Sequence, residues 1–593
     1  MRHSANPLDM YRGQAVAPPS MVNSARLDSL IHDSKLYLSL RDAIALALEN
    51  NLDLVIARYN LPIAQTDILR TRAGGLVRGV NTGVVQGTPG GAGAGAGAGS
   101  GAGGTTSGAG GAGAGAAGIV SSTLGTGTNV STFDPTITAQ VDTDHNTQLL
   151  TNQQIFGVPI YHVNTTAANV SYLQSFPTGS GLEVDWNSNR QTNNSPYNSL
   201  MPQLYAYTRV LVTQQLLAGL GFGPNLRFLR IAKTNQKISD IAFRAQVIAT
   251  VTQICDLYWD LVAAYDTEQV NERSVAFAAD NLEKSRKQLS LQAIPAMDVL
   301  KAESELATRE QDLTVARTNL ELQELYMKNA ITRSLDNPTL EEMPVVPTDR
   351  IAALLHGNAE AVAQLIDTAL RKRTELQESR LDLENRELSR KTARNALLPQ
   401  LTAYGFYAGT GFAGTPNPTF VQQVGSVNAP PGYGGALENA LNNSSPEYQV
   451  GFQLNIPLRN RIAKADQYRT ELEYRQAQVY FEELRNRIRI EVRNAQYALE
   501  QGASRVDAAR KARDLTQKAL SIMQQEQKLG AGSSQQTLAA EHDLALAESA
   551  LVTAEASYEK ARIEVRRATG TILEDYGISI DDAKQGVVEA SHL

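Results

Sequence analysis

A glycine-rich stretch is the first feature of this sequence whose residue types and spacing could do chemistry. GLGFG at residues 219–223 follows a predicted strand and opens a predicted helix, as a dinucleotide-binding loop does. The helix that follows is several times too long for a βαβ unit, and no strand ending in an acid comes after it. We interpret the glycines as a flexible connection, and the sequence predicts no bound cofactor.

Metal-binding and catalytic residues show no better pattern. The histidines, including His145, His162, His356 and His542, do not stand at ligand spacing with carboxylates, so no zinc site is predicted. Cys255 is the single cysteine, which rules out a disulfide framework within one chain. No nucleophile stands beside a candidate base. The sequence therefore predicts a protein that is not an enzyme.

Composition restricts the partners. The 593 residues carry a formal net charge of -7, and the basic residues alternate with acidic ones along helical segments, so nucleic acid is not an expected partner. The most apolar helical window, residues 247–265, is interrupted by Asp256 and Asp260 and does not read as a membrane-spanning helix. Residues 1–20 lack the apolar centre of a secretory signal.

The predicted helices that would position functional residues occur twice in the sequence. The stretch RIAK occurs at residues 230–233 and 461–464, and DVLKAE at 298–303 corresponds to QTLAAE at 536–541. The interval from 461 to 536 exceeds that from 230 to 298 by seven residues. Seven residues are one heptad, the insertion that leaves a coiled-coil seam in phase.

Each repeat contains a long helix with apolar residues at steps of three and four, and a turn followed by a shorter helix. The predicted long helices would each span about 90–100 Å at about 1.5 Å per residue, too long for a compact domain. Two helical hairpins result, with long helices at 225–291 and 461–529 and return helices at 296–332 and 534–570. In the helix pattern that begins near Leu40, Pro62 is expected to cause an interruption.

The segments before each long helix alternate between apolar and polar residues. Tyr448, Val450, Phe452 and Leu454 share one face of a predicted strand, which is typical of a sheet with an apolar and a polar side. The second repeat has strands within 401–456, and the first holds an additional hairpin near 168–190. One chain has too few strands to close a pore, so the pattern favours a ring of copies.

Taken together, these motifs resemble the TolC-like outer-membrane efflux proteins. The resemblance covers roughly residues 38–573 and rests on LSLRDAIALALENNLDL, on ARNALLPQL before a strand, and on LNIPLRNRIAKAD between strand and helix. It implies an α+β membrane protein built from two internal repeats, in which a trimeric outer-membrane β-barrel continues into a long periplasmic α-helical coiled-coil barrel. Each protomer of that family contributes four strands to a twelve-stranded barrel.

The implied organisation places every segment in one of five units. They are an irregular leader at 1–37, a first repeat at 38–332 with a Gly/Ala linker at 88–118, an equatorial connection at 333–358, a second repeat at 359–573, and a tail at 574–593. The additional hairpin either joins the barrel or folds elsewhere.

The resemblance also implies the function and the partners. The chain would be a passive channel-tunnel, exporting small molecules or proteins to the exterior in multidrug efflux or type I secretion. It would work as a homotrimer in outer-membrane lipid, with a periplasmic adaptor (membrane fusion) protein and an inner-membrane pump of the RND, ABC or a similar class. The alternative that the residues leave open is a coiled-coil scaffold outside any membrane, which would not explain the alternating strands.

Two sets of residues carry the expected role. The periplasmic aperture and adaptor-docking tip would consist of Gln292, Ala293, Pro295, Asp298, Lys301, Gly530, Gly532, Ser533, Gln536 and Ala539. The barrel-to-helix junctions would contain Gly219, Gly221, Gly223, Pro224, Pro399 and Pro457. Members of the family with a cation-attracting aperture have aspartates where this chain has Gln536 and Ala539. Asp298 either lines the aperture or merely supports the start of its helix.

Overall fold

A computed structural model of the chain describes residues 11–85, 128, 130–336, 338–350, 361–442, 444–529 and 533–587. The predicted linker at 88–118 and the tip residues Gly530 and Gly532 lie outside the described residues, as do parts of the predicted leader, connection and tail.

The helices of this part of the chain fall into two long hairpins and a set of shorter elements. In chain order they are α1 (Ala25–Ser29), α2 (Leu40–Asn50), α3 (Leu52–Arg72), α4 (Gln153–Phe156), α5 (Phe222–Asn225), α6 (Arg227–Ser290), α7 (Ala296–Ile331), α8 (Pro338–Glu342), α9 (Val362–Lys372), α10 (Thr374–Asn395), α11 (Pro418–Val424), α12 (Gly432–Leu441), α13 (Arg461–Lys528), α14 (Ser534–Thr569), α15 (Ile572–Asp575) and α16 (Ile580–Gln585).

The strands form two sheets. They are β1 (Ile31–His32), β2 (Lys35–Leu38), β3 (Thr136–Leu149), β4 (Ile160–Ser175), β5 (Ser180–Asn193), β6 (Leu200–Gln215), β7 (Val345–Pro347), β8 (Gln400–Pro416) and β9 (Pro446–Asn455). A small sheet has the order β1-β2-β7, and a six-stranded sheet has the order β3-β4-β5-β6-β8-β9. All neighbours in the large sheet are antiparallel.

The two long helices determine the dimensions of the helical part. With 64 residues in α6 and 68 in α13, each rod is about 100 Å long at about 1.5 Å per residue. α6 returns as α7 and α13 returns as α14, while α6 also packs along α14, so the two hairpins lie side by side. α3 packs against α6, and α10 lies between α6 and α13 at the end nearer the sheet.

Near its middle, α6 passes through the largest hydrophobic core. Val247, Tyr258 and Leu261 pack there with Met327 of α7 and with residues of α2, β7 and α15. The Tyr258 hydroxyl donates to the Asp349 carboxylate at 2.9 Å, and the same carboxylate oxygen accepts from the backbone N–H of Leu40 at 2.7 Å. Local and distant segments of the chain thus meet around one point of α6.

The apolar composition of α6 is explained by its position in this core. It is the one helix in the described ranges that is long and apolar enough, by length and composition, to span a membrane. However, 67% of its most apolar window is buried inside the protein. Burial against the rest of the chain accounts for its apolar side chains.

The sequence interpretation needs two corrections at the N-terminal end. Pro62 lies inside α3 and does not end it; the helix pattern breaks at Asn51, whose side chain accepts from the backbone N–H groups of Asp53 and Leu54. An asparagine in this position caps a new helix. The leader predicted to be irregular contains α1, β1 and β2, because Leu36 and Leu38 are buried in the α6 core and β2 pairs parallel with β7.

The large sheet also differs from the expectation of four strands per protomer. It contains six, because the additional hairpin is β4–β5 and lies in the middle of the ladder between β3 and β6. The connection between β8 and β9 forms α11 and α12, which the sequence interpretation did not foresee. α12 packs across β6 and β8, with Ala436 and Ala440 against Leu204, Ala206 and Ala413.

Two glycines of β8 permit the close approach of α12. A Cβ atom added at Gly409 would lie 1.9 Å from the carbonyl oxygen of Ala440, and one added at Gly411 would lie 1.9 Å from that of Ala436. At Gly405, on the same face of the same strand, the nearest atoms would be 3.7 Å away, which is ordinary contact. The glycines at 409 and 411 are therefore required by packing.

We predict that Gly411→Ala displaces α12 and destabilises its contact with the sheet by about 1–3 kcal/mol, the range expected for overpacking. The residues 417–442 should become more sensitive to limited proteolysis in the variant. Gly405→Ala is the matched control and should resemble the unsubstituted protein. Equal protease sensitivity of the two variants would contradict this account of the packing.

Candidate channel wall, junctions and tip

The large sheet has a more apolar and a more polar face, although on β8 the polar side also carries Tyr404, Phe406 and Phe412. Residues that pair directly across neighbouring strands lie on the same face. One row on the apolar face consists of Ile137, Tyr172, Val184, Val210, Tyr407 and Tyr448. The adjacent row on the other face consists of Thr138, Ser171, Asp185, Arg209, Ala408 and Glu447.

The polar face carries an ion network that joins β5 to β6. The Arg209 guanidinium donates to the Asp185 carboxylate at 2.9 Å and to the Glu183 carboxylate at 2.7 Å. Asp185 is nearly buried although no layer of protein covers this face in the described part of the chain. The polar face is thus suited to water and ions, and the apolar face, where Val184 and Tyr448 are exposed, is suited to lipid.

The first strand-to-helix junction is built around the predicted glycines. Gly219 and Gly221 have φ of 86° and 80°, a region that favours glycine, and their carbonyl oxygens accept from the Asn225 amide at 2.7 and 2.9 Å. The N–H of Gly219 donates to Asn395 of α10 at 3.0 Å. Because the loop carbonyls are occupied by Asn225, these contacts make the segment a tight structural connection.

The other junction residues contribute less to this structure. Pro224 is buried and its carbonyl accepts from Arg227, whereas Gly223 is exposed with open space around it. The carbonyl of Pro399 accepts from the N–H of Ala218 at 3.3 Å, which ties the start of β8 to the end of β6. In the second junction Pro457 is exposed.

At the tip of the first hairpin, a short turn links α6 to α7. Gln292 has φ of 58°, and the N–H of Ala293 donates to Gln288 at 2.9 Å, which closes the turn. Pro295 is the N-cap of α7, and Asp298 lies in the first turn of that helix. Asp298 and Lys301 form an ion pair at 3.8 Å between two half-exposed side chains. Asp298 thus lies at the start of the helix with its carboxylate accessible to water.

At the tip of the second hairpin, Ser533 and Gln536 form a capping box. The Ser533 hydroxyl accepts from the N–H of Gln536, and the Gln536 side chain accepts from the N–H of Ser533, both at 3.2 Å. Gln536 and Ala539 are exposed. The structure also brings the two tips together, because the Lys301 ammonium donates to Gln535 at 3.4 Å.

Sequence reasoning missed the apolar side chains around these tips. Leu291 and Leu529 follow the two long helices directly, and Met297 and Leu300 lie in the first turns of α7; all four are exposed. Their position beside both turns was visible in the sequence, whereas their exposure depends on how the hairpins pack. The tip therefore combines an Asp/Lys pair, neutral glutamines and an apolar rim.

The seam between the hairpins contains a carboxyl group in an unfavourable environment. Burial between α6 and α14 raises the pKa of Asp256 to about 7, against a lowering contribution from Lys560. One turn further along α6, Asp260 forms an ion pair with Lys560. Movement of α6 against α14 would change the exposure of both carboxylates.

The profile of the outer membrane efflux protein family matches residues 365–571, which contain α10, β8, β9, α13 and α14. The second half of the chain is thus similar to this family. This match confirms the resemblance inferred from the sequence motifs, and it supports an outer-membrane export channel with its helical part in the periplasm. Members of the family are channels and not enzymes.

Solved structures of similar fold extend the likeness to nearly the whole chain. The Campylobacter jejuni CmeC outer-membrane channel has 14% sequence identity and a TM-score of 0.57, over 98% of this chain and 99% of that one. CusC has 14% identity and a TM-score of 0.55, over 94% and 99%. The Vibrio cholerae outer-membrane protein VceC has 13% identity and a TM-score of 0.54, over 90% and 96%. No curated protein sequence matches the chain.

We predict that Asp256→Asn stabilises this efflux channel at high pH. The raised pKa means that ionised Asp256 opposes folding as pH rises from about 4 to about 7. Above pH 7 the variant should be more stable by about 2–4 kcal/mol, and this gain should shrink as pH falls toward 4. Thermal unfolding of the reconstituted protein at pH 4.5 and 8 measures both values.

Asp280→Asn is the control, since Asp280 lies on the same helix with an exposed side chain and should give no gain at pH 8. A pH-independent effect of Asp256→Asn, or a loss of stability at pH 8, would contradict the seam assignment.

Proposed function

We propose that three copies of the chain close head to tail into a water-filled export channel, passive in itself and opened by an adaptor and a pump. The six-stranded sheets would form a barrel in the outer membrane, and the helical hairpins would form a tunnel through the periplasm. Two internal repeats would give the tunnel its matching hairpins. The proposal rests on one observation. Each chain exposes two edges, each made of an unpaired strand and apolar helix surface, and each edge needs a surface of another molecule to cover it.

The first edge consists of β3, α3 and α7. Every residue of β3 is exposed, and within the described residues it pairs on one side only. On α3, four exposed apolar residues at steps of four, three and four form a stripe: Leu52, Ile56, Tyr59 and Ile63. On α7, Val315 and Leu322 are exposed on the side opposite to its buried residues.

The second edge consists of β9 and α13. β9 likewise pairs with one neighbour among the described strands, and all but one of its residues are exposed. On α13 the exposed apolar residues lie on one stripe, opposite to the buried Ala477, Leu484 and Ile488. The stripe consists of Tyr468, Leu472, Val479, Ile490, Tyr497, Leu515 and Ile522.

A comparison of the two RIAK stretches supports a missing partner at the second edge. Ile231 of the first copy is 0% exposed beneath its neighbours, whereas Ile462 of the second copy is 82% exposed. The same motif is thus covered in one repeat and uncovered in the other. A neighbouring copy placed with its first edge on this second edge would cover the α13 stripe.

Head-to-tail contacts of this kind generate rings when the rotation closes. Closure also removes the unpaired strand edges, which cannot persist in a bilayer because lipid offers no hydrogen-bond partners. A coiled-coil scaffold outside the membrane would leave the apolar face of the sheet uncovered, so we do not favour that alternative.

The tip would set the aperture and dock the adaptor. The exposed apolar rim around Leu291 and Leu529 supports a contact with another protein. Asp298, Lys301 and Gln536 would line the opening, with less negative charge than in family members that carry aspartates there. Opening would require α6 and α14 to slide along their shared seam, a shear of packed helices.

The decisive experiment measures oligomer and conductance together. Reconstituted protein should migrate as a heat-modifiable trimer and give discrete single-channel steps in planar lipid bilayers. Soluble monomers that produce no steps would overturn the proposed channel.

We predict that Tyr497→Asp weakens the trimer, because it places a charge in the centre of the α13 stripe that the next copy covers. Ala498→Asp is the matched control, since Ala498 is exposed a quarter turn away on the same helix. Heat-modifiable migration should show more monomer for the first variant and a normal trimer for the second. Equal loss of trimer in both variants would mean that the α13 stripe is not part of the interface between copies.

At the tip, Gln536→Glu should keep the capping box, because glutamate fills the third helical position as well as glutamine. It adds one negative charge per copy at the aperture, so the channel should become more selective for cations. The reversal potential in a salt gradient measures this. An unchanged potential with an intact trimer would show that Gln536 does not face the ion path.

A further inference from the structure

We infer that the barrel of this channel has eighteen strands, six from each of three copies, with the β4–β5 hairpin as part of its wall. The inference rests on the proposed trimer. It departs from the twelve strands that the family resemblance implies. The partner surface is the exposed edge of β3, which would receive β9 of a second copy.

The first observation is that the hairpin belongs to an unbroken ladder. β4 pairs with β3 from Ile160 to Leu173 at one side and with β5 at the other, and β5 pairs with β6 from Ser180 to Gln191. Removing the hairpin from the wall would break its pairings with β3 and β6. The edges of β3 and β6 freed in this way would have to find new strand partners, because lipid offers none.

The second observation is that the hairpin carries the same two faces as the rest of the sheet. Val170, Val184 and Trp186 lie on the apolar face, and Asn169, Asp185 and Asn187 lie on the polar face. The ion network of Arg209 with Asp185 and Glu183 joins the hairpin to β6 on the polar face. A hairpin that folded away into water would not need an apolar face in line with those of β6 and β8.

The third observation is that the tip of the hairpin is fixed to the strand-to-helix junction. The N–H of Gln215 donates to the carbonyl of Gly179, and the N–H of Gly221 donates to that of Thr178, both at 3.0 Å. Gly179 has φ of 85°, and a Cβ atom there would lie 2.5 Å from the carbonyl of Gly219. The turn of the β4–β5 hairpin thus packs against the glycine-containing junction between β6 and α6.

The number of strands is compatible with closure. Because the six strands alternate in direction, β3 and β9 run antiparallel to each other. The β9 edge of one copy can therefore pair antiparallel with the β3 edge of the next, and three copies close without a parallel pair. Since barrel diameter grows roughly linearly with strand number, eighteen strands give an exit about 1.5 times as wide as twelve.

Spin labels on β5 test the inference in the reconstituted full-length protein, with the buried Cys255 replaced by alanine. A label at Val184→Cys should collide mainly with oxygen, which partitions into lipid, and one at Asn187→Cys mainly with a water-soluble nickel chelate. Val450→Cys and Gln449→Cys on β9 are the matched controls for the two faces.

The outcomes separate the two proposals. If the label on the apolar face collides mainly with oxygen and the label on the polar face mainly with nickel, on both β5 and β9, the result supports the eighteen-stranded wall. Alternation on β9 with nickel access at both β5 positions overturns it and leaves the channel proposal intact. Nickel access at all four positions overturns the channel proposal itself. An image of the trimer in lipid should accordingly show eighteen strands in cross-section, and twelve would contradict the inference.

Discussion

The structure depends on one constraint. Backbone donors and acceptors at a sheet edge, and apolar stripes on long helices, must be covered, and a single chain leaves some of both uncovered. β3 and β9 each pair on one side among the described strands. α13 is apolar on two opposite sides, one packed within the chain and the other exposed. In lipid the cost of an unpaired peptide group is several kcal/mol. The assembly we propose follows from satisfying these groups with copies of the same chain.

The connection between the sheet and the helices is held rigid by hydrogen bonds. The Gly219–Gly221 turn, held by Asn225 and Asn395, passes the chain from β6 to α6 with the hairpin turn at Gly179 fixed against it. A rigid junction of this kind would confine movement to the far end of the tunnel. Near the middle of α6, the helices α6 and α14 share a seam containing Asp256 and the Asp260–Lys560 pair, whose burial must change if the helices slide.

The sequence was most informative where structure is local. α13 begins at Arg461, the first residue of the repeated RIAK stretch, and Ser533 caps α14 as its spacing to Gln536 suggests. The break at Asn51 was also readable as a cap before Asp53, but the proline at 62 was given too much weight. Apolar alternation in β9 likewise indicated a two-faced strand, and the motifs at its end were specific enough to indicate the family.

Long-range packing could not be read in this way. Gly409 and Gly411 are understandable only with α12 lying across them, and the buried strand β2 only with β7 beside it. The residues proposed for the aperture lie beside the tip contact between Lys301 and Gln535, which joins positions distant in sequence. The place of β4–β5 depends on pairing with both β3 and β6, so the sequence left open whether this hairpin joins the wall.

Amide hydrogen exchange in the lipid-reconstituted protein tests the central claim most directly, because it reports on the edge strands themselves. If copies close edge to edge, the amides of β3 and β9 should be protected as strongly as those of β5 in the middle of the ladder. Rapid exchange along β3 and β9, with β5 protected, would mean that the edges stay open and that the chain does not close into a channel.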